Sequence, residues 1–210
     1  HINNDKMTYG KIFGQENNLS TSAIARMNLF LHGAKDFKII KGDTLGDPKF
    51  VRAGKVMRFD CVIANPPFSL DNWGSAKFEV DPYGRNIWGA PTEKSADFAW
   101  IQHMIASMKP KKGRCAFIIS QGIQFHTGKE AKMREKLVES GLLECIIDLP
   151  SGIFYSTGVK ACIVFLNTLI PDERKNKVLM IDASKIYTAK RAQNIMEPKN
   201  IDEIYKLFVE

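Results

Sequence analysis

The chain has 210 residues, of which 44% are hydrophobic and 25% are charged, as in one globular domain with a substantial core. No run reaches the roughly 18 apolar residues of a membrane span, and the polar start HINNDKMTYG is unlike a signal peptide. We therefore expect a cytoplasmic protein with no membrane contact. The net charge of +7 permits a polyanionic partner such as nucleic acid without requiring one.

The cysteines and histidines form no metal-binding or disulfide pattern. Each cysteine lies in an apolar run and none belongs to a CxxC pair, so all four are predicted to be small core residues in a reducing compartment. They are Cys61, Cys115, Cys145 and Cys162. The four histidines are scattered along the chain. We therefore predict no metal site.

Apolar runs alternate with amphipathic stretches in the first part of the chain. Ser20 or Thr21 is a candidate cap for the first helix, and Gly33 follows its last turn. The last strand, RFDCVIAN, is apolar on both faces, as expected of a central parallel strand. The predicted elements are a strand at 10–16, a helix at 20–33, a strand at 36–43 and a strand at 58–65.

Residues 69–95 differ from the segments on either side. Gly, Pro, Asp and Asn interrupt them, and Trp73, Phe78, Tyr83 and Trp88 are spaced along them. The segment is too long for an ordinary connection. It is therefore predicted to be a functional loop or partly disordered.

The alternation of strands and helices then resumes. The predicted elements are a helix at 96–109, a strand at 113–120, a helix at 129–141, strands at 142–150, 159–167 and 177–184, and a short helix near the end. This order predicts an α/β fold with a mostly parallel sheet and helices on both faces. Ligands bind beyond the carboxyl ends of such strands. Glu16, Asp43 and Asn65 end three of the predicted strands.

The segment NPPF after the strand at 58–65 fits the chemistry of an exocyclic amine. The lone pair of such an amine is delocalised into its ring, so two acceptors on its N–H bonds are needed to free it. The Asn65 side-chain oxygen and the Pro66 carbonyl supply two acceptors, and the restricted φ of Pro-Pro fixes the direction of that carbonyl. Phe68 offers a face on which a base can stack. Because Asn is a poor base, the segment suits positioning of an amine.

This motif resembles that of S-adenosylmethionine-dependent amino-group methyltransferases: Asp, Asn or Ser, then Pro-Pro, then an aromatic residue. The surrounding segments GQE, ARMNLFLHG, KGDTL and IIDLPSGIFYSTGVKACIVFLN resemble the DNA-methylating modification subunits of type I restriction–modification systems. The resemblance covers about residues 10–190. It implies a Rossmann-like methyltransferase fold, with a partial catalytic domain at 1–190 and a C-terminal helical extension at 191–210.

The same resemblance implies roles for individual residues at a cofactor site. Glu16 accepts hydrogen bonds from the ribose hydroxyls of S-adenosylmethionine, Asp43 contacts its adenine, and Leu45 packs beside that adenine.

It also implies roles at a target site. Asn65 and Pro66 hold the N6 amine of the target adenine, Pro67 completes the motif, and Phe68 stacks on the base. Phe154, in GIFYSTG, is a further candidate for an aromatic wall.

The implied activity is DNA N6-adenine methylation. A flipped adenine attacks the methyl group of S-adenosylmethionine directly, without a covalent enzyme intermediate. The implied partners are double-stranded DNA, a specificity (S) subunit and a restriction (R) subunit. In this interpretation residues 69–95 are mobile without DNA and close over the flipped base, with Lys77 and Arg85 meeting phosphates. The alternative, that the aromatic rings simply fix the loop to the core, stays open.

The sequence departs from the family at its start. The Gly-rich cofactor loop and the helical N-terminal domain are missing before GQE, so we expect part of a longer protein. These 210 residues alone are expected to bind S-adenosylmethionine weakly and to be inactive.

Two other functions remain open. One is methylation of a protein glutamine or a ribosomal RNA guanine, which also uses Asn-Pro-Pro-aromatic motifs. The other is a catalytically silent scaffold subunit. The intact Asn65, Pro66 and Phe68 argue against a silent subunit.

Overall fold

A computed structural model describes residues 10–154, 158–191 and 193–209. The chain divides into two compact units, His1–Met57 and Arg58–Glu210. No helix in these described ranges is long and apolar enough to cross a membrane. The predicted boundary between a catalytic domain and an extension at residue 190 stays a prediction.

The first unit is built on a parallel pair of strands. Its elements are β1 (Ile12–Glu16), α1 (Leu19–Leu31), β2 (Phe37–Lys41), β3 (Val51–Arg52) and β4 (Lys55–Val56). β1 pairs with β2 in parallel, and β3 and β4 form an antiparallel hairpin. The hairpin turn has two left-handed residues, Ala53 (φ 51°) and Gly54 (φ 72°), as a type I′ turn requires.

Helix α1 begins earlier than predicted. Its N-cap is Asn18, whose side chain accepts a hydrogen bond from the Thr21 amide at 3.0 Å. The expectation that Ser20 or Thr21 caps the helix is therefore wrong. Asn is at least as good a cap as Ser or Thr, so Asn18 can take the position ahead of them.

The second unit contains a five-stranded sheet. Its elements are β5 (Cys61–Ala64), α2 (Ser75–Glu79), α3 (Asp97–Ala106), β6 (Arg114–Ser120), α4 (Lys129–Glu139), β7 (Leu143–Asp148), β8 (Ala161–Asn167), β9 (Leu179–Asp182) and α5 (Pro198–Val209). The strand order is β5-β6-β8-β7-β9, with β8 antiparallel to both its neighbours and the other pairings parallel. The predicted mostly parallel sheet is confirmed.

Helices cover both faces of this sheet. One face packs on α3 and α4 through a buried cluster that includes Phe98, Ile101, Met104, Phe117, Met133, Val164 and Leu166. The opposite face packs on α5 through a second cluster: Cys145, Ile147, Ile181, Ala183 and Ile204. Burial of these side chains is the main force that holds the helices on the sheet.

β5 is less buried than its sequence suggests. It lies at one edge of the five-stranded sheet, and its Ile63 is 79% exposed. Cys61 is also exposed, so the expectation that all four cysteines are core residues is wrong for this one. The other three are buried, and burial raises the pKa of each thiol to about 12. Those thiols are therefore unreactive near neutral pH.

Residues 69–95 are packed on the second unit. Trp73 is 8% exposed and Phe78 is 2% exposed, and their rings contact each other with centroids 5.6 Å apart. Gln102 of α3 accepts hydrogen bonds from the amides of Ile87 and Trp88. This supports the interpretation that the rings fix the segment to the core.

Arg85 is 2% exposed, so the prediction that it meets phosphates is wrong. Its guanidinium donates to Asp81 at 2.9 Å and lies over the rings of Phe78 and Tyr83, with centroids 5.2 and 5.3 Å away. Lys77 is exposed, and its role stays a prediction.

Candidate active site

The candidate cofactor residues lie at one edge of the β1–β2 pair. Because the two strands are parallel, with Glu16 opposite Lys41, their carboxyl ends meet at the same edge. The Gly42 amide donates to the Glu16 carbonyl at 3.0 Å and joins the two exits. Glu16 and Asp43, which were predicted from separate motifs, therefore belong to one edge of the first unit.

Glu16 has one committed and one free carboxylate oxygen. Its Oε1 accepts a hydrogen bond from the Asn18 amide at 2.7 Å, at the start of α1. Its Oε2 accepts none from the described residues. A carboxylate held at a helix N-terminus with a free oxygen can accept hydrogen bonds from a bound hydroxyl group.

Asp43 forms a tight turn beyond β2. Its Oδ1 accepts from the Leu45 amide at 3.0 Å, and its carbonyl accepts from the Asp47 amide at 2.8 Å. Asp43 is exposed, whereas Leu45 is 4% exposed and presents little surface to a ligand. A Cβ on Gly46 would lie 2.4 Å from Asp43 Oδ2. A side chain at position 46 would displace the Asp43 carboxylate, and the sequence analysis missed Gly46 although it lies three residues after Asp43.

The Asn-Pro-Pro-Phe segment follows the end of β5. Pro66 is buried and anchors the segment to the protein. Asn65, directly before it, is exposed and can contact a ligand. Neither the Asn65 side chain nor the Pro66 carbonyl forms a hydrogen bond within the described residues. Pro67 is exposed and Phe68 is half-buried. The two predicted acceptors thus have no hydrogen-bond partner among the described residues and are available to a ligand.

Phe154 lies beside Phe68. The two ring centroids are 6.1 Å apart and the ring planes meet at 85°. Phe154 enters from the segment after β7, far from Phe68 in the chain, so the fold brings two aromatic side chains together at the exit of β5. Residues 155–157 of GIFYSTG lie outside the described residues.

A buried carboxylate contacts the same exit. Asp97, the first residue of α3, is 1% exposed, and its Oδ1 accepts a hydrogen bond from the Ser69 amide at 3.0 Å. The sequence analysis missed Asp97. Its position at the start of a helix signals a helix-terminal acid, but no local pattern links it to a residue 28 positions earlier.

Comparison with known proteins identifies the family. The sequence profile described as N-6 DNA Methylase matches residues 1–210. The chain belongs to the N-6 DNA methylase family. The family predicted from NPPF and its surrounding segments is therefore confirmed.

The relatives of this chain are named as subunits of restriction enzymes or restriction-modification systems. It is 36% identical over 208 residues to the type I restriction enzyme MjaVII methylase subunit of Methanocaldococcus jannaschii, covering 94% of this chain and 35% of that protein. It also resembles the crystal structure of the type I restriction-modification system methyltransferase subunit from Streptococcus thermophilus, with TM-score 0.83, 31% identity, and coverage of 94% of this chain and 41% of that one. The chain therefore spans well under half the length of these relatives.

A third likeness supports the fold of this chain. A putative class I S-adenosylmethionine-dependent methyltransferase from Listeria monocytogenes matches with TM-score 0.63 and 20% identity over 93% of this chain and 54% of that one. The predicted methyltransferase fold is confirmed. Because β5 and β6 are parallel, Asn65 and the carboxyl end of β6 lie at the same edge of the sheet.

Proposed function

We propose that the protein containing this chain is a site-specific DNA N6-adenine methyltransferase, the modification subunit of a type I restriction–modification system. The observation that carries the proposal is the pair of uncommitted acceptors, Asn65 and the Pro66 carbonyl, beside the Phe68 ring at the exit of β5. The names of the relatives, methylase subunits of type I restriction enzymes, support it.

The chemistry follows from the two acceptors. An adenine N6 amine donates two hydrogen bonds, and the Asn65 oxygen and Pro66 carbonyl can each accept one. Such contacts favour a tetrahedral nitrogen whose lone pair is available for attack. Because these acceptors have no other partner among the described residues, no hydrogen bond within the chain has to break when the amine arrives.

The aromatic pair suits capture of a base outside the duplex. N6 of a stacked adenine is out of reach of a methyl donor, so the nucleotide must be flipped, at a cost of a few kcal/mol for unstacking and unpairing. Stacking on the Phe68 ring would return about 1–3 kcal/mol of that cost. We infer that Phe154 borders the same pocket, because its ring contacts Phe68.

The first unit fits S-adenosylmethionine as the methyl donor, which supplies an electrophilic methyl group when bound. Glu16, with its free Oε2, would hold the ribose hydroxyls, and the exposed Asp43 would contact the adenine. Leu45 would pack beside that adenine, although it is only 4% exposed and offers little contact surface. Asn65 cannot take up a proton, so the methylated amine would lose its proton to water during or after transfer.

The proposal includes partners and location. We infer double-stranded DNA as the substrate, a specificity subunit that selects the sequence, and a restriction subunit in the same cytoplasmic complex. The net charge of +7 is compatible with DNA as a partner. We also propose that these 210 residues alone bind S-adenosylmethionine weakly. Residues 191–210 would form a helical extension of the catalytic domain.

The decisive experiment identifies the methylated product. The full-length protein with its specificity subunit is incubated with DNA, ribosomal RNA, cell protein and labelled S-adenosylmethionine, and nucleosides and proteins are examined by mass spectrometry. N6-methyladenine is expected. Label on a protein glutamine or an RNA guanine would favour the rival methyltransferases, and no label at all would favour a silent scaffold.

A matched pair of variants tests the site. Asn65→Ala should lower kcat by about a hundredfold or more, the scale of losing one preorganised contact to a transition state. Asn65→Asp keeps an acceptor oxygen and should retain a larger part of the rate. Equal rates for wild type and Asn65→Ala would remove Asn65 from the mechanism, while affinity for S-adenosylmethionine should change little in either variant.

A further inference from the structure

The residue directly after Phe68 has an unusual backbone. Ser69 has φ 49°, in the left-handed region. This conformation costs a residue with a Cβ roughly 1–2 kcal/mol, and it persists only where the surroundings hold it. Ser69 is itself exposed, so burial of its side chain does not hold it. The direction of the chain as it leaves Phe68 therefore depends on hydrogen bonds.

Two such bonds come from the start of α3. Asp97 Oδ1 accepts from the Ser69 amide at 3.0 Å. The Ala96 amide donates to the Leu70 carbonyl at 2.9 Å. Consecutive residues after Phe68 are thus tied to consecutive residues at the helix start, through the amide of Ser69 and the carbonyl of Leu70.

The group that holds Ser69 is a buried carboxylate. Asp97 is 1% exposed, and its Oδ2 accepts no hydrogen bond from the described part of the chain. Burial raises its pKa, while the Ser69 amide, His126 and the Ser95 hydroxyl lower it and Glu130 raises it further. Burial of a carboxylate without a directly bonded cation is costly. The N-cap of α3 is Ala96 and no described side chain caps this helix, so helix capping does not account for Asp97.

We propose that Asp97 is a positioning residue for the target-base site: by holding the Ser69 amide it fixes the turn that sets the Phe68 ring in place. This rests on the proposed function of Asn65–Phe68. A hydrogen bond to a carboxylate is about twice as strong as one between neutral groups. Without it, Ser69 would relax toward negative φ, and the Phe68 ring would leave its position 6.1 Å from Phe154.

The structure offers a control within the same segment. Glu93 also accepts backbone hydrogen bonds, from the amides of Gly74 and Ser75 at 2.9 Å each. It holds the start of α2, several residues beyond Phe68. Glu93→Ala removes the same kind of contact from the same segment without touching the Ser69 turn.

The test compares Asp97→Ala, Asp97→Asn and Glu93→Ala in the full-length protein with its specificity subunit and cognate DNA. Asp97→Ala should lower kcat about tenfold or more, because a displacement of about 1 Å near the chemistry has effects of that size. Fluorescence of 2-aminopurine at the target position should also change. Asp97→Asn keeps an acceptor and should restore the rate to within about threefold, while Glu93→Ala should leave both readouts as in wild type.

A second pair of measurements isolates the turn. Glycine adopts positive φ without cost, so Ser69→Gly in the Asp97→Ala background should recover at least about threefold in kcat. In the unmodified protein, the exposed Ser69 amide should exchange with solvent at least about tenfold more slowly than a free amide. This last measurement needs no variant and applies even if Asp97→Ala does not fold.

The outcomes separate this inference from the proposed function. A wild-type complex that methylates no adenine refutes the function alone. Methylation that is insensitive to Asp97→Ala in folded protein, an unprotected Ser69 amide, or Asp97→Asn as impaired as Asp97→Ala each overturn the positioning role alone. A lowered melting temperature with unchanged 2-aminopurine fluorescence and kcat assigns Asp97 to stability only, which also overturns it.

Discussion

Two neighbouring segments of the chain treat their polar groups in opposite ways. At the exit of β5, the Asn65 side chain and the Pro66 carbonyl have no hydrogen-bond partner within the described residues. In the segment that follows, residues 69–95, Arg85 is buried and paired with Asp81, and the buried Gln102 of α3 bonds the segment. The Gln102 side chain alone bonds three successive residues of the segment, the amides of Ile87 and Trp88 and the carbonyl of Gly89.

The difference separates scaffold from ligand site. Buried polar groups must be hydrogen-bonded, so the pairing within 69–95 is what fixes that segment to α3. Acceptors that face solvent can hydrogen-bond water, so they need no partner within the protein and can accept a hydrogen bond from a ligand. Aromatic residues spaced along a long loop do not distinguish the two cases, since Trp73 and Phe78 are in the core and Phe68 is beside the site.

The largest expected effect is on the scaffold. Arg85→Ala leaves Asp81 buried without its cation and removes the group stacked on Phe78 and Tyr83. Breaking a buried pair in this way typically lowers the free energy of unfolding by about 3–5 kcal/mol. Thermal unfolding of the full-length protein should show it, with the exposed Lys77→Ala as control. Equal melting temperatures for Arg85→Ala and wild type would mean that the segment is not held by this pair.

The next effect is on the ligand site. Phe68→Ala should weaken capture of the flipped base by about 1–3 kcal/mol, or roughly 5- to 160-fold, while leaving the melting temperature nearly unchanged. Phe68→Trp keeps a π face and should be tolerated better. Fluorescence of 2-aminopurine at the target position measures the capture. Identical signals for wild type and Phe68→Ala would place the base elsewhere.

A fall in pH should weaken the packing of residues 69–95. Burial, together with the adjacent Arg85 charge, lowers the pKa of His103 to about 3, although the residue keeps some exposed surface. An unfolded histidine titrates near about 6.5, so the neutral ring stabilises the docked segment above that pH, and the contribution is lost as pH falls toward 3. Burial raises the pKa of Asp81, but its hydrogen bonds with Arg85 and the Arg85 charge lower that pKa overall, so the carboxyl stays ionised between pH 7.5 and pH 5.

Amide exchange measures this loosening. After correction for intrinsic rates, opening of 69–95 should increase on the order of tenfold between pH 7.5 and pH 5. His103→Gln cannot titrate and should abolish the pH dependence. If wild type opens equally at both pH values, the charge state of His103 does not control the segment.

The smallest expected effect concerns Lys77, the remaining candidate for a phosphate contact in 69–95. It is exposed, so Lys77→Ala should weaken DNA binding only about twofold at low salt and less at high salt. The salt dependence of DNA affinity measures this, with the paired surface residue Lys175 as a matched control. A salt slope identical to wild type would leave the segment without a DNA contact at this position.

Local sequence determined the elements of this protein. Apolar runs such as RCAFIIS and ACIVFLN predict β6 and β8 correctly, because the alternation of buried side chains is a property of neighbouring residues. The Asn-Pro-Pro-Phe chemistry is also local, since it depends on the restricted φ of consecutive prolines. The short β3–β4 hairpin was missed because two-residue strands carry no periodic signal.

Only the tertiary structure decided which polar and aromatic residues serve the site and which serve the core. The sequence of Arg85 and its neighbours is compatible with a phosphate contact, but in the structure α3 and the rings of Phe78 and Tyr83 enclose the side chain. Asp97 and Phe154 reach the exit of β5 from residues far along the chain. Contacts across such separations depend on how helices and strands pack, and packing depends on the summed fit of many side chains rather than on any local pattern.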